Sequence, residues 1–217
     1  MCRIFGCINL NSFFKKEDYR RFVHLTEMVS YRGPNTSGYV ILNIKKSANE
    51  NYFDAFLGHR RLSIIDLTNT ANQPMEDKGV WIIFNGEIFN YLELKEELKI
   101  DGFIFNTNSD TEVILKLYGK YGESEFEKSN GMWAFAILDL PKKKVVLSRD
   151  RFSIKTLYYT QINRQFYFAS EIKQLLPLIH KKEINSNIIY DFLQQGLLDY
   201  NNETFSMEYI SLSQRQI

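Results

Sequence analysis

Two cysteines stand near the start of the chain, Cys2 and Cys7. Removal of Met1, which a small residue at position 2 permits, would leave Cys2 carrying a thiol and a free α-amine on one residue. An unperturbed α-amine titrates at about 7.7–8.0 and a free thiol at about 8.5. At neutral pH the amine is therefore partly neutral and can take the thiol's proton, so one residue supplies nucleophile and base. No histidine is needed, and His24, His59 and His180 stand apart from any Ser/His/Asp or zinc-binding pattern. The plainer reading of Cys2 is a chance neighbour of the start codon. Cys7, inside an apolar run, reads as a small buried hydrophobe. Further along, Asn85-Gly86-Glu87 follows the apolar run Trp81–Phe84. A strand ending in an Asn-Gly turn can offer a side-chain amide and a backbone N–H to one oxygen, as an oxyanion requires. It is also an ordinary turn sequence. Arg60-Arg61 adjoins Leu62-Ser63-Ile64-Ile65, where an arginine can fork onto a carboxylate or make a surface ion pair. Asp110 falls in the first turn of an expected helix, where it can bind an ammonium group or simply complement the positive helix end.

The elements that must position these residues follow from pattern. Strands are expected at Ile4–Leu10, Gly38–Ile44, Phe56–Ile65 and Trp81–Phe84, the last followed by a tight turn at Asn85-Gly86. Met132–Leu140 and Val145–Ser148 form a hairpin about Pro141–Lys144, and Thr156–Tyr159 pairs with Gln165–Ala169. Helices are expected at Lys16–Tyr31, Leu92–Leu98, Ser109–Tyr121, Ser170–Leu178 and Ser186–Gln195, with Ser109-Asp110-Thr111-Glu112 as a capping box. Hairpin spacing among the strands argues for an α+β chain with antiparallel sheets and against a βαβ winding. The 217 residues, 44% hydrophobic and 24% charged, suffice for a core without staples, which excludes a disordered chain or a disulfide-dense miniprotein. A net charge of +1 supplies no field for nucleic acid or acidic lipid, and the lysines of the Pro141–Lys144 turn read as solvated. Aromatic residues at 15% fit extensive strands or stacking platforms. No apolar run of membrane-spanning length occurs, nor a signal-peptide cleavage pattern, so a cytoplasmic protein is expected. Two cysteines so close together, without nearby ligand spacing, give no zinc site.

Taken together, the motifs are specific. Cys2, Tyr31-Arg32-Gly33-Pro34, Gly58-His59-Arg60-Arg61-Leu62-Ser63-Ile64-Ile65-Asp66, Gln73-Pro74-Met75 and Phe84-Asn85-Gly86-Glu87-Ile88-Phe89-Asn90-Tyr91 come in this order. Ser109-Asp110-Thr111-Glu112-Val113, Gly131–Ala136, Arg149-Asp150-Arg151-Phe152 and Phe168–Lys173 follow. This series resembles the N-terminal glutaminase domain of glutamine-hydrolysing asparagine synthetases, a class II glutamine amidotransferase, over residues 2–180. The resemblance implies an N-terminal-nucleophile hydrolase fold, a four-layer α/β/β/α sandwich of two antiparallel sheets. It implies that Cys2 attacks the carboxamide of glutamine and that Asn85 and the Gly86 N–H hold the oxyanion. Arg61 would bind the α-carboxylate and Asp110 the α-ammonium, with Glu87 and the backbone of Leu62, Ser63, Ile64 and Ile65 completing the pocket. No cofactor or metal is implied for this chain; ATP and Mg²⁺ belong to the synthetase domain that follows in the family.

Several positions depart from that pattern. Arg3 stands where a small residue is usual, and a cation there can lower the thiol pKa or crowd the substrate. Ser153 and Thr156 replace a usual Gly and Pro, and Asn35 a usual Asp. If position 153 needs positive φ, Ser153 adds strain of order 1 kcal/mol. The Ser-Gly-Gly pyrophosphate loop of the synthetase domain does not occur in these 217 residues, so residues 181–217 read as a truncated connection toward an absent domain. The expected partners are glutamine and a synthetase domain or subunit, with a homodimer left open and no nucleic acid or membrane. The alternatives are a non-catalytic glutamine-binding remnant, or a glutaminase that feeds a sugar or peptide carboxylate instead of aspartate.

Overall fold

The computed structural model describes residues 2–46, 49–179, 183–196, 202–205 and 209–211. The larger sheet is six-stranded and antiparallel, in the order β12 (Ile210–Ser211), β10 (Tyr158–Ile162), β11 (Gln165–Ala169), β1 (Arg3–Asn9), β5 (Ala55–Arg61), β3 (Thr36–Leu42). The smaller sheet has four antiparallel strands, β6 (Met75–Asp77), β7 (Val80–Ile88), β8 (Gly131–Asp139) and β9 (Lys144–Arg149). A two-residue ladder joins β2 (Phe14–Lys15) to β4 (Tyr52–Phe53).

Side chains alternate along each strand, and that alternation builds the layers. Ile4 and Ile8 of β1 and Ala55 and Leu57 of β5 meet Ile83 of β7 and Ala134, Ala136 and Leu138 of β8 in a core between the sheets. The opposite face of the large sheet presents Phe5, Cys7 and Phe56 to Phe22 and Leu25 of α1 (Asp18–Glu27). There the phenylalanines pack on one another, with the Phe14 and Phe22 rings edge to face at 4.9 Å. The high aromatic content is thus spent largely on a buried core. Ile82, Phe84 and Ile88 of β7 face α2 (Tyr91–Ile100) and α3 (Asp110–Tyr121) on the far side of the small sheet. The result is helices, sheet, sheet, helices. α4 (Ile172–Leu175) follows β11, and α5 (Ser186–Gln195) stands further along the chain.

The structure corrects several sequence expectations. Asn85-Gly86 is not a turn: β7 runs unbroken from Val80 to Ile88, with Asn85 opposite Ala134 and Gly86 opposite Trp133. Glycine is needed there for close approach, because a Cβ on Gly86 would lie 2.3 Å from the Met132 carbonyl oxygen. The strand expected to reach Ile65 ends at Arg61, because its neighbours stop at Arg3 and Thr36. The helix expected to Tyr31 closes at Glu27, and Ser30–Arg32 form a separate 3₁₀ turn. This turn brings Gly33 against the backbone of β5, where a Cβ would sit 2.5 Å from the Arg60 carbonyl. Ser109 caps α3 by accepting the Thr111 N–H, but the capping box is not formed. The Glu112 carboxylate instead accepts the N–H groups of Asn106 and Thr107.

Ser153 does adopt positive φ, at 56°. It sits in the loop that Asp150 organises, and Arg149 donates to its carbonyl at 2.7 Å. Left-handed backbone costs an L-residue about 1–2 kcal/mol, partly offset in Ser153→Gly by the greater freedom of glycine in the unfolded chain. Ser153→Gly is expected to raise stability by about 0.5–1 kcal/mol, read from the denaturant midpoint at constant slope. An unchanged or lower midpoint would contradict this account of the loop.

Candidate active site

Strand parity decides which side chains gather at one end of the sandwich. Cys2 continues the inward register of Ile4, Arg61 that of Ala55 and Leu57, and Asn85 and Glu87 that of Ile83. All four line one cleft, bordered on its other side by Ser109, Asp110 and Thr111 of the α3 start. Leu62, Ile64, Ile65 and Gly86 also line it. Ser63 does not; its N–H turns to Asn35 Oδ1 at 3.0 Å, so Asn35 supplies the acceptor an aspartate would have given.

The Cys2 sulfur accepts the Leu62 N–H at 3.3 Å. Burial pushes the thiol pKa up, and the Leu62 amide opposes that shift. Both effects act on the thiolate, and burial is the larger, so the site favours the neutral thiol. Arg3 neither crowds the cleft nor lines it, which corrects that expectation: its side chain lies on the outer face of β1 with Phe5. Cys7 is fully buried between β1 and α1, and burial raises its thiol pKa further.

The acceptor-stabilising geometry comes from the edge of β7. β6 pairs with β7 only as far as Ile82. Beyond it, the even-numbered residues of β7 point their backbone groups toward an open edge. At Phe84, the N–H is taken by Gln73 Oε1 at 2.6 Å and the carbonyl by His59 Nε2 at 3.1 Å. At Ile88, the N–H is taken by Asp110 Oδ2 at 3.1 Å. Gly86 lies between them, and its N–H faces the cleft. Beside it the Asn85 side chain is 1% exposed, and neither its Oδ1 nor its Nδ2 has a partner. An unpaired buried amide costs about 1–3 kcal/mol, and such groups are rare in folded proteins. Asn85, Gly86 and Cys2 line the same cleft.

Charges flank this centre. Arg61, 6% exposed, uses three of its N–H groups within its own loop, donating to Thr68 O and Asn72 Oδ1 at 2.8 Å each and to Asp66 O. Arg60 points the other way, to Glu27 at 3.2 Å, and holds β5 to α1. Asp110 is 5% exposed, and burial pushes its pKa up to about 6. Lys155, which the sequence reading did not single out, also lines the cleft at 3% exposure. Burial lowers its pKa and the charge of Glu87 opposes the fall. The signal for Lys155 was the Arg149-Asp150-Arg151-Phe152 motif. Asp150 accepts the N–H groups of Phe152, Ile154 and Lys155, and Arg149 holds the Lys155 carbonyl at 2.6 Å. His59 is buried and its pKa is pushed down to about 3, so it acts as a neutral strand clamp. His180 lies outside the described residues. Among the described residues no cluster of His, Cys, Asp or Glu could hold a metal ion, and no helix is long and apolar enough to cross a membrane.

A two-sheet sandwich between helix layers, with a cysteine, an amide and a strand N–H at one end, is the arrangement expected of an N-terminal-nucleophile amidotransferase. The glutamine phosphoribosylpyrophosphate amidotransferase of Bacillus subtilis shares the fold, with a TM-score of 0.66 over 80% of this chain and 43% of that one at 19% identity. The chain belongs to the glutamine amidotransferase domain family, whose model matches residues 1–212. It is 40% identical over 198 residues to asparagine synthetase [glutamine-hydrolyzing] 1 of Bacillus subtilis, covering 89% of this chain and 29% of that protein. It is 38% identical over 175 residues to asparagine synthetase [glutamine-hydrolyzing] 2 of Arabidopsis thaliana, covering 79% and 27%. The chain spans less than half the length of these relatives.

Proposed function

We propose that this domain hydrolyses glutamine to glutamate and ammonia through a glutamyl thioester on Cys2. The observation that carries the reading is the unpartnered Asn85 amide beside the Gly86 N–H, at the end of the cleft that holds the thiol. With Met1 removed, the α-amine of Cys2 takes the thiol proton as sulfur bonds to the side-chain carbonyl carbon of glutamine. Negative charge grows on the carbonyl oxygen, where Asn85 Nδ2 and the Gly86 N–H donate to it. The intermediate collapses as the C–N bond breaks, and the ammonium of Cys2 returns its proton to the departing nitrogen, which leaves as ammonia. Water then attacks the thioester, glutamate departs and the thiol is restored.

The α-carboxylate and α-ammonium of glutamine need one cation and one anion. Arg61 and Asp110 supply them, with Glu87, Leu62, Ile64 and Ile65 shaping the rest of the pocket. No cofactor enters these steps. The ammonia goes to a synthetase domain or subunit that makes asparagine, the product in the names of the relatives; aspartate as acceptor, with ATP and Mg²⁺ in that other domain, is what the family resemblance implies. Both cysteines are free, which suits the reducing cytoplasm.

Cys2→Ala is expected to abolish glutamate release, and Asn85→Ala to lower kcat about 10²- to 10³-fold. Glutamate release by Cys2→Ala would overturn the mechanism, and a parent that is folded but as inactive as both variants would leave a glutamine-binding remnant. Asp110 gives a pH signature. Its carboxylate is charged above about 6 and neutral below, so attraction to the ammonium group is lost as pH falls through that value. Glutamine binding to Cys2→Ala, measured by calorimetry, is expected to weaken between pH 7 and 5. A flat profile would remove Asp110 from the ammonium site.

A further inference from the structure

Arg3 is a buried cation that the reaction does not use. It is 7% exposed, and a guanidinium so placed requires partners. On the outer face of β1, its Nε donates to Glu171 Oε1 at 2.8 Å and its Nη1 donates to the Cys2 carbonyl at 3.0 Å. Glu171 is itself fixed. The Tyr31 hydroxyl donates to both its oxygens at 3.0 and 3.2 Å, and the Lys173 ammonium lies 3.3 Å away. It also caps α4 in a reciprocal capping box with Gln174, which reaches the Leu25 carbonyl of α1 at 3.3 Å.

The Cys2 carbonyl needs this anchor for a topological reason. Backbone groups of alternate residues in β1 face β11, and at Ile4 the carbonyl accepts the Ser170 N–H at 3.0 Å. Two residues earlier, the Cys2 carbonyl faces the same side, but β11 has ended at Ala169. The ladder with β5 likewise opens at Arg3, opposite Arg60. Cys2 therefore lies one residue beyond the sheet, and once Met1 is gone a single peptide unit joins it to the fold.

We propose that Arg3 is a positioning residue that fixes rotation about the Cα–C bond of Cys2, and so aims the thiol and the α-amine together at the bound carboxamide. The proposal rests on Cys2 being the nucleophile. The proposed glutamine contacts lie on β5 and the segment after it, on β7 and on α3, so loss of Arg3 changes the reacting geometry without changing the pocket that binds substrate. Misplacing a reacting group by about 1 Å can cost up to about 100-fold.

The test compares Arg3→Met, which keeps length without charge, and Arg3→Lys with the parent chain in a glutaminase assay and in iodoacetamide alkylation mapped by peptide mass. Arg3→Met is expected to lower kcat about tenfold with the glutamine KM within twofold. Cys2 should alkylate severalfold faster as its side chain swings out of the cleft into solvent, while Cys7 stays unreactive. Arg3→Lys, which can still reach the Cys2 carbonyl, should recover part of both effects. Arg3→Met with kcat and Cys2 alkylation both within twofold of the parent would overturn the proposal, as would Cys7 becoming as reactive as Cys2, which marks loss of the fold. A parent that releases no glutamate contradicts the glutaminase reading, while the alkylation rates still decide whether Arg3 positions Cys2.

Discussion

The site depends on an interrupted strand edge. β6 leaves β7 after Ile82, and from there three residues of β7 must find partners outside any ladder. Gln73 and His59 clamp Phe84 from both sides, and Asp110 takes Ile88. These bonds hold β7 straight where it has only one neighbour, and they reserve the Gly86 N–H between them. In the proposed mechanism, the full pairing of β7 with β8 holds that edge, and with it the Gly86 donor, in place before substrate arrives. Such preorganisation is the largest single contribution to catalysis of acyl transfer, because no dipole needs to turn as charge develops.

The rest of the arrangement follows from where the two sheets end. Cys2, Arg61 and Asn85 share the inter-sheet face by parity, yet stand beyond the apolar side chains that fill it. The polar end of the core is thus continuous with its hydrophobic part, and its unpaired groups are carried by the burial behind them. Two loops bring in the remaining charges. Arg61 is wrapped by the segment from Asp66 to Asn72, and Lys155 is presented by the turn around Asp150. The same turn holds Ser153 in left-handed backbone, strain that the Arg149 and Asp150 hydrogen bonds sustain.

Much of the fold was legible because apolar alternation and helix-breaking residues act locally. The strands around Ile4 and Val145, and the capped helix after Ser109, needed nothing else. The motif series carried the family, which no single residue type could. Asn85-Gly86 misled because Asn-Gly is a turn sequence by local propensity, while pairing with β8 is a tertiary constraint. The turn of Ser63 away from the cleft and the place of Lys155 in it were not legible for a related reason: their N–H groups donate to Asn35 and Asp150, far off in sequence or invisible to periodicity. The face of Arg3, by contrast, was available from parity, since Phe5 and Cys7 already marked the outward register of β1.

The proposed reaction turns on a covalent bond between Cys2 and the carbonyl carbon of glutamine. Acid quenching during turnover, followed by peptide mass analysis, tests it most directly. The account predicts a glutamyl adduct confined to the Cys2 peptide, lost on brief treatment with hydroxylamine. Steady glutamate release with Cys2 unmodified at every quench time, or with the adduct on another residue, would contradict it.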